Sequence, residues 1–437
     1  MIMKAIIVAV IFLLTFTKAF SQGNLNIVTV DIGNFWQAYD SITATEDSAS
    51  QYGYINKLFI EKGSPGLRAI MKVKGYTAKS YVDAINQYPL FWNSIRENTL
   101  KANSFAKEIE TEVSKLRVIY PDLKPASIFF TIGALETGGT FLEDKVLIGS
   151  EIALADRNVV TREFPSTSGN LTSHFKSDPI DIVVFTNIHE YVHTQQKTTE
   201  RTNLLAQTVF EGVAEFVAVT ATGLTSTLPA ISYGKENEDR VRERFSEEMH
   251  NLHTGFWFYN NNSNEFNTRD LGYYVGFAIC EKYYQQAHDK KLALKEMIEL
   301  DYGIETELSR FVDRSGYFTS SVAELEKKFE KSRPTVTRIS QFKSKDRKVS
   351  PSLTTITVEF STEMDDRHRN FELGPLGMGN IMRVKKFNGF SQDKKSVSFE
   401  VELKPNHHYQ LVIGSNFRSK NGIALKPYLI DFTTSSK

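Results

Sequence analysis

His189-Glu190-Tyr191-Val192-His193 sets two imidazoles at i and i+4, so a helix carries them on one face about one turn apart. That spacing lets both rings close on a single Zn2+, with Glu190 beside it to take a proton from water. Ile182, Val183, Val184, Phe185, Ile188 and Val192 make this helix apolar enough to be buried. Burying two His and a Glu without partners costs several kcal/mol, and one metal ion satisfies them together. The competing reading is a pair of core histidines bonded to carbonyls.

A catalytic zinc keeps three protein ligands and leaves a fourth position for water, so a third ligand must come from elsewhere. The next apolar helix, from about Leu204 to Thr220, carries Phe210-Glu211-Gly212-Val213-Ala214-Glu215-Phe216. Glu211 lies eighteen positions past His193, and Glu215 one helical turn further on.

Here the chain resembles the gluzincin metallopeptidases, which join a His-Glu-x-x-His helix to a glutamate on the following helix. Phe210-Glu211-Gly212-Val213-Ala214 is similar to the Asn-Glu-Gly-Phe-Ala sequence of the aminopeptidase branch. The resemblance implies one zinc per chain on His189, His193 and Glu211, with Glu215 orienting one of the histidines. The spacing is a residue or two shorter than in the best-known branches, which keeps the reverse assignment of the two glutamates open. Tyr273-Tyr274-Val275-Gly276-Phe277-Ala278 resembles a further aminopeptidase element, Tyr-x-x-Gly-Phe-Ala, whose tyrosine stabilises an oxyanion. That implies the role for Tyr273, or for Tyr274 if the helix is rotated; packing alone is the alternative for both. The metzincin pattern fails, because positions 196 and 199 are Gln196 and Thr199. Gly133-Ala134-Leu135-Glu136-Thr137 resembles the amine-binding Gly-x-Met-Glu-Asn only in outline, and Glu136 also reads as a turn residue beside a strand. The whole of 23–330 resembles an uncharacterised bacterial family of zinc-dependent proteases.

What these resemblances imply is hydrolysis of a protein or peptide by metal-activated water. Glu190 acts as general base, and the strand 127–132 holds an extended substrate by edge pairing. A different class also fits: a secreted adhesin or binding protein with a structural metal. Structural zinc sites are usually closed by four ligands and rich in Cys, however, and Cys280 is the only cysteine.

Around this centre, strands are expected at Ser127 to Ile132 and Val146 to Ser150, with Thr137-Gly138-Gly139-Thr140 as the turn between them. Tyr81 to Leu116 has helical periodicity interrupted near Pro89. Past Pro334 the apolar period changes to two: Ile356, Val358 and Phe360; Val397, Phe399, Val401 and Leu403; Tyr409, Leu411 and Ile413; then Leu429 to Thr433. Together with Phe360-Ser361-Thr362-Glu363-Met364-Asp365, Leu403-Lys404-Pro405 and Asn421-Gly422, this segment resembles a bacterial Ig-like module. His407-His408 there reads as a loop at a strand edge.

The expected fold class is therefore α+β. A zincin-like, mainly helical domain with a small sheet spans 22–333, and an Ig-like β-sandwich spans 334–437. Residues 1–21 read as a signal peptide: a basic start to Lys4, an apolar run from Ala5 to Phe16, and Ala19-Phe20-Ser21 at the cleavage site. Export to the periplasm or the cell exterior follows. No other segment is long and apolar enough to cross a membrane. Lys+Arg and Asp+Glu both number 52, so no basic field gathers nucleic acid or anionic lipid.

Overall fold

The structure, a computed structural model, describes residues 25–260 and 264–437. The proposed signal peptide lies outside the described residues. Helices and sheets are both present, as the α+β reading expects.

The first part opens with helices separated by sharp local signals. Ser64 caps Pro65–Lys74, where proline sits in the first turn and Gly75 ends the helix in left-handed conformation. Pro89 divides the long periodic stretch into Ala78–Gln87 and Pro89–Leu100, followed by Ala106–Ile119. Proline is tolerated there because the first turn needs no N–H.

Four strands form the sheet: β1 (Ile27–Val28), β2 (Ser127–Thr131), β3 (Gly139–Leu142) and β4 (Lys145–Gly149), in the order β1-β2-β4-β3. β2 is parallel to both β1 and β4, while β3 runs antiparallel to β4 at the edge. This corrects two expectations. β2 is not the edge strand: β1 pairs with it at Ile128 and Phe129, and β4 along its whole length. Gly139 and Thr140 belong to a strand rather than to a turn; the turn is Glu143-Asp144, with Glu143 at φ +54°.

Three helices build the centre behind this sheet: Val183–His193, Leu204–Thr222 and Leu271–Gln286. The last two cross at backbone contact. A Cβ on Gly212 would overlap Gly276, and one on Gly276 would overlap the Thr208 carbonyl. Leu204–Thr222 is also long and apolar enough to cross a membrane by length and composition, which corrects the sequence reading. It is 83% buried inside the fold, so its apolarity serves the core. A single hydrophobic cluster runs from Ile32 to Leu325.

After the capped helix Val322–Ser332, seven strands follow. β5 (Val336–Ile339), β6 (Thr355–Phe360), β9 (Ser396–Glu400) and β8 (Lys386–Phe390) make one antiparallel sheet; β11 (Tyr428–Thr433), β10 (His408–Ile413) and β7 (Phe371–Glu372) make another. Their inward residues share a second cluster, from Ile339 to Phe432. Polar contacts join the two parts. Arg333 donates to the carbonyls of Ala424 and Leu425, Asn251 Nδ2 donates to Gly422 O at 2.9 Å, and the His253 ring reaches Ser415 O.

Candidate metal centre

His189 and His193 occupy the last turn of Val183–His193, and both are buried. The helix is fixed to the lead-in of β2, because Ala126 donates its N–H to the Tyr191 hydroxyl and Lys124 donates to Gln195. The two Nε2 atoms face each other at 3.1 Å. Glu211, on Leu204–Thr222, brings Oε2 to 3.7 Å from His189 Nε2 and 3.3 Å from His193 Nε2. These three residues form a buried group that can hold a metal ion. Glu215 does not face the Nε2 pair; its Oε2 lies 2.9 Å from His189 Nδ1. The structure thus separates the two glutamates by position.

The hydrogen-bond network decides which ring nitrogens carry lone pairs. Gln196 donates its NH2 to Phe210 O at 2.9 Å and to the Tyr302 hydroxyl at 2.8 Å, so its Oε1 is left to accept from His193 Nδ1 at 2.6 Å. His189 Nδ1 donates to the Glu215 carboxylate in the same way. Neutral imidazoles held like this point two Nε2 lone pairs at each other, with a carboxylate oxygen beside them. Only a cation relieves that arrangement. Burial opposes charge on His189, yet Glu211 and Glu215 outweigh it and hold the imidazole up at about 10. Burial also pushes Glu211 upward, but His193 and His189 outweigh it and keep the carboxyl far below its ordinary range. A proton on His189 supplies part of the positive charge the carboxylates demand; a divalent metal supplies it in full.

Aromatic rings fix His193 further. Its imidazole stacks against Phe210, with centroids 4.5 Å apart, and against Phe141 of the edge strand β3, at 5.0 Å. Gln207 donates to Glu211 Oε1 at 2.8 Å, so both oxygens of that carboxylate are engaged. Glu190 lies over the start of β3: a Cβ on Gly139 would stand 2.9 Å from its Oε1. Burial raises the Glu190 pKa, as suits a carboxylate that must accept a proton near neutrality.

Tyr273 and Tyr274 point apart, as consecutive helical residues must. The Tyr273 ring lies 6.2 Å from the His189 ring. Tyr274 is buried against Gly234 and interacts with the Tyr317 phenol instead. Glu136 is exposed on the bend before β3 and is not part of the buried His189-His193-Glu211 group. The buried Glu151 organises that bend, accepting from Gly133 N at 2.8 Å and Leu135 N at 3.1 Å. His408 pairs with Asp431 at the start of β10, with no third metal-type ligand beside it among the described residues.

Sequence reasoning missed Gln196, Phe141 and Gln207. Gln196 had a signal, since it lies three residues past His193 and the ring nitrogen needs an acceptor. Phe141 had none while β3 read as a turn.

No family model matches the chain, and no curated protein matches it. Among solved structures, it is similar to the crystal structure of the S-layer protein rSbsC(31-844) at 12% sequence identity and a TM-score of 0.18. That match covers 94% of this chain, which spans 45% of the S-layer chain, and a score so low carries no argument about fold or function.

Proposed function

We propose that the protein is an exported zinc-dependent peptidase. Zincin-like architecture in 22–333 and an Ig-like sandwich in 334–437 belong to the same reading. The observation that carries it is the buried trio of His189, His193 and Glu211, with both histidine Nδ1 atoms donating elsewhere. Four tetrahedral ligand atoms about 2.0–2.1 Å from zinc stand about 3.3–3.4 Å apart. The 3.1, 3.3 and 3.7 Å separations here bracket that value.

Zinc held by these residues supplies Lewis acidity, lowering the pKa of a water and polarising a carbonyl. Glu190, within reach of β3, accepts the water proton and returns it to the leaving amine. Tyr273 donates its hydroxyl to the developing oxyanion. β3 is the sheet's edge strand beside the site, so it takes the substrate-pairing role first read into 127–132. A glutamate directly after the first histidine has this use in an enzyme and none in a structural site.

A peptide library incubated with zinc-loaded wild type and with Glu190→Gln tests the reading. Cleavage by wild type, reduced by several orders of magnitude in the variant, is expected. Cleavage that persists unchanged in Glu190→Gln overturns it, as does a fully inert wild type, which leaves a binding protein with a structural metal.

A further inference from the structure

The chain enters Leu204–Thr222 through a segment pinned at both ends. Gly303 N donates to the Thr199 hydroxyl at 3.1 Å, and Asn203 caps the helix, accepting from Ala206 N at 3.0 Å. The first two helical N–H groups, of Leu204 and Leu205, donate to the carbonyls of Asn251 and Met249. Arg201 lies between the two pins and reaches the helix that follows. Its guanidinium carbon stands 4.2 Å from the centre of the Phe210 ring, and its Nε donates to Gln207 Oε1 at 2.7 Å. Gln207 in turn donates to Glu211 Oε1 at 2.8 Å, one turn further along the same helix.

The two partners dictate how the amide lies. An arginine only donates and an ionised carboxylate only accepts, so the Gln207 oxygen must face Arg201 and its NH2 must face Glu211. Without Arg201 the amide is free to turn over and set its oxygen against the carboxylate. The Phe210 ring that carries the guanidinium also stacks on His193, with 13° between the planes, so this relay and one histidine of the metal group share a support.

The consequence falls on Glu211. Its Oε2 faces the two Nε2 atoms at 3.7 and 3.3 Å, while its Oε1 is turned to Gln207. A carboxylate with both oxygens free can close on a metal through both and take up the position that a water needs. We propose that Arg201 and Gln207 are positioning residues for Glu211: Arg201 fixes the amide, the amide holds Oε1, and Glu211 offers the metal Oε2 alone. The proposal rests on the zinc centre of the peptidase reading, and not on what that centre hydrolyses.

The test uses full-length protein and the variants Gln207→Met, Arg201→Met and the double variant, none of which alters a ligand. Zinc affinity is read by competition with a chelating dye. Zinc-edge X-ray absorption of the loaded proteins gives the number and mean distance of the neighbours of the metal, and peptide hydrolysis is measured alongside. Gln207→Met is expected to weaken zinc binding about tenfold, because the carboxylate is no longer held for it. The same variant is expected to gain an oxygen neighbour and a longer mean distance, as Oε1 swings onto the metal. Arg201→Met is expected to weaken binding about fivefold, with the same spectral change in smaller measure. In the Gln207→Met background the Arg201 substitution is expected to change neither.

Wild-type affinity and spectrum in Gln207→Met overturn the proposal. Weaker binding with an unchanged zinc shell overturns it too, since the pair then only supports the fold, and so does an equal effect of Arg201→Met in both backgrounds. The expected pattern in a protein that cleaves no peptide upholds the relay and sinks the peptidase reading. No zinc bound by wild type overturns both.

Discussion

Glu215 touches His189 Nδ1 through one oxygen, while its Oε1 is buried without a protein partner. Its work is to hold the ring nitrogen's proton and present Nε2. Glu215→Gln is expected to weaken zinc affinity about 10- to 100-fold, read by competition with a chelating dye; unchanged affinity contradicts the assignment. Tyr273→Phe is expected to lower kcat about a hundredfold at unchanged zinc content. Tyr274→Phe is expected to leave kcat near wild type, because that hydroxyl lies toward Tyr317. Steady-state kinetics on both separate the roles, and a full-rate Tyr273→Phe contradicts them.

A second titration sits behind the site. Burial outweighs the backbone bonds from Gly133 and Leu135 and lifts Glu151 from 4.5 to about 7. The folded chain therefore holds this proton more tightly than the unfolded one. The contribution is fully present below about pH 4.5 and is lost as the pH rises through about 7, roughly 3 kcal/mol in all. Urea unfolding of wild type and Glu151→Gln at pH 5 and pH 8 checks it: wild type is expected to lose about that much relative to the variant. A constant difference between the two contradicts the shift.

At the scale of elements, the glycines of Glu211-Gly212 and Val275-Gly276 let two helices meet at backbone distance, which puts Glu211 and Tyr273 around one centre. Gly276→Ala forces a methyl into the Thr208 carbonyl and is expected to cost about 3 kcal/mol and much of the zinc. Thermal melting with metal analysis tests this; a wild-type melt contradicts the crossing. Gly139→Ala is milder, since the flexible end of Glu190 can move aside. It is expected to keep zinc and lose about tenfold in kcat.

The same scale shows what was legible. The buried histidine helix and the apolar helix after it were readable because 3.6-residue periodicity spans several turns in each. Apolar alternation likewise marked β6, β9, β10 and β11. β3 was not readable: four residues beginning with glycine carry no period, and Glu143-Asp144 lacks the Asn-Gly signature of a tight hairpin. The substrate edge was consequently assigned to the more apolar β2, which β1 and β4 in fact enclose.

For the whole molecule, two separate clusters of buried side chains meet through polar contacts to the backbone of 415–425. Such contacts contribute about 1 kcal/mol each, and water replaces them on separation. A chain of residues 22–333 is expected to remain soluble and bind zinc, with a melting midpoint a few degrees lower. Insoluble or metal-free protein shows that the C-terminal sheets complete the first core. The central claim, that His189, His193 and Glu211 hold one zinc, meets its most direct test in elemental analysis of purified, zinc-exposed and dialysed protein. One zinc per chain is expected in wild type and in Glu190→Gln, and none in His189→Ala/His193→Ala; stoichiometric zinc in that double variant, or none in wild type, contradicts it.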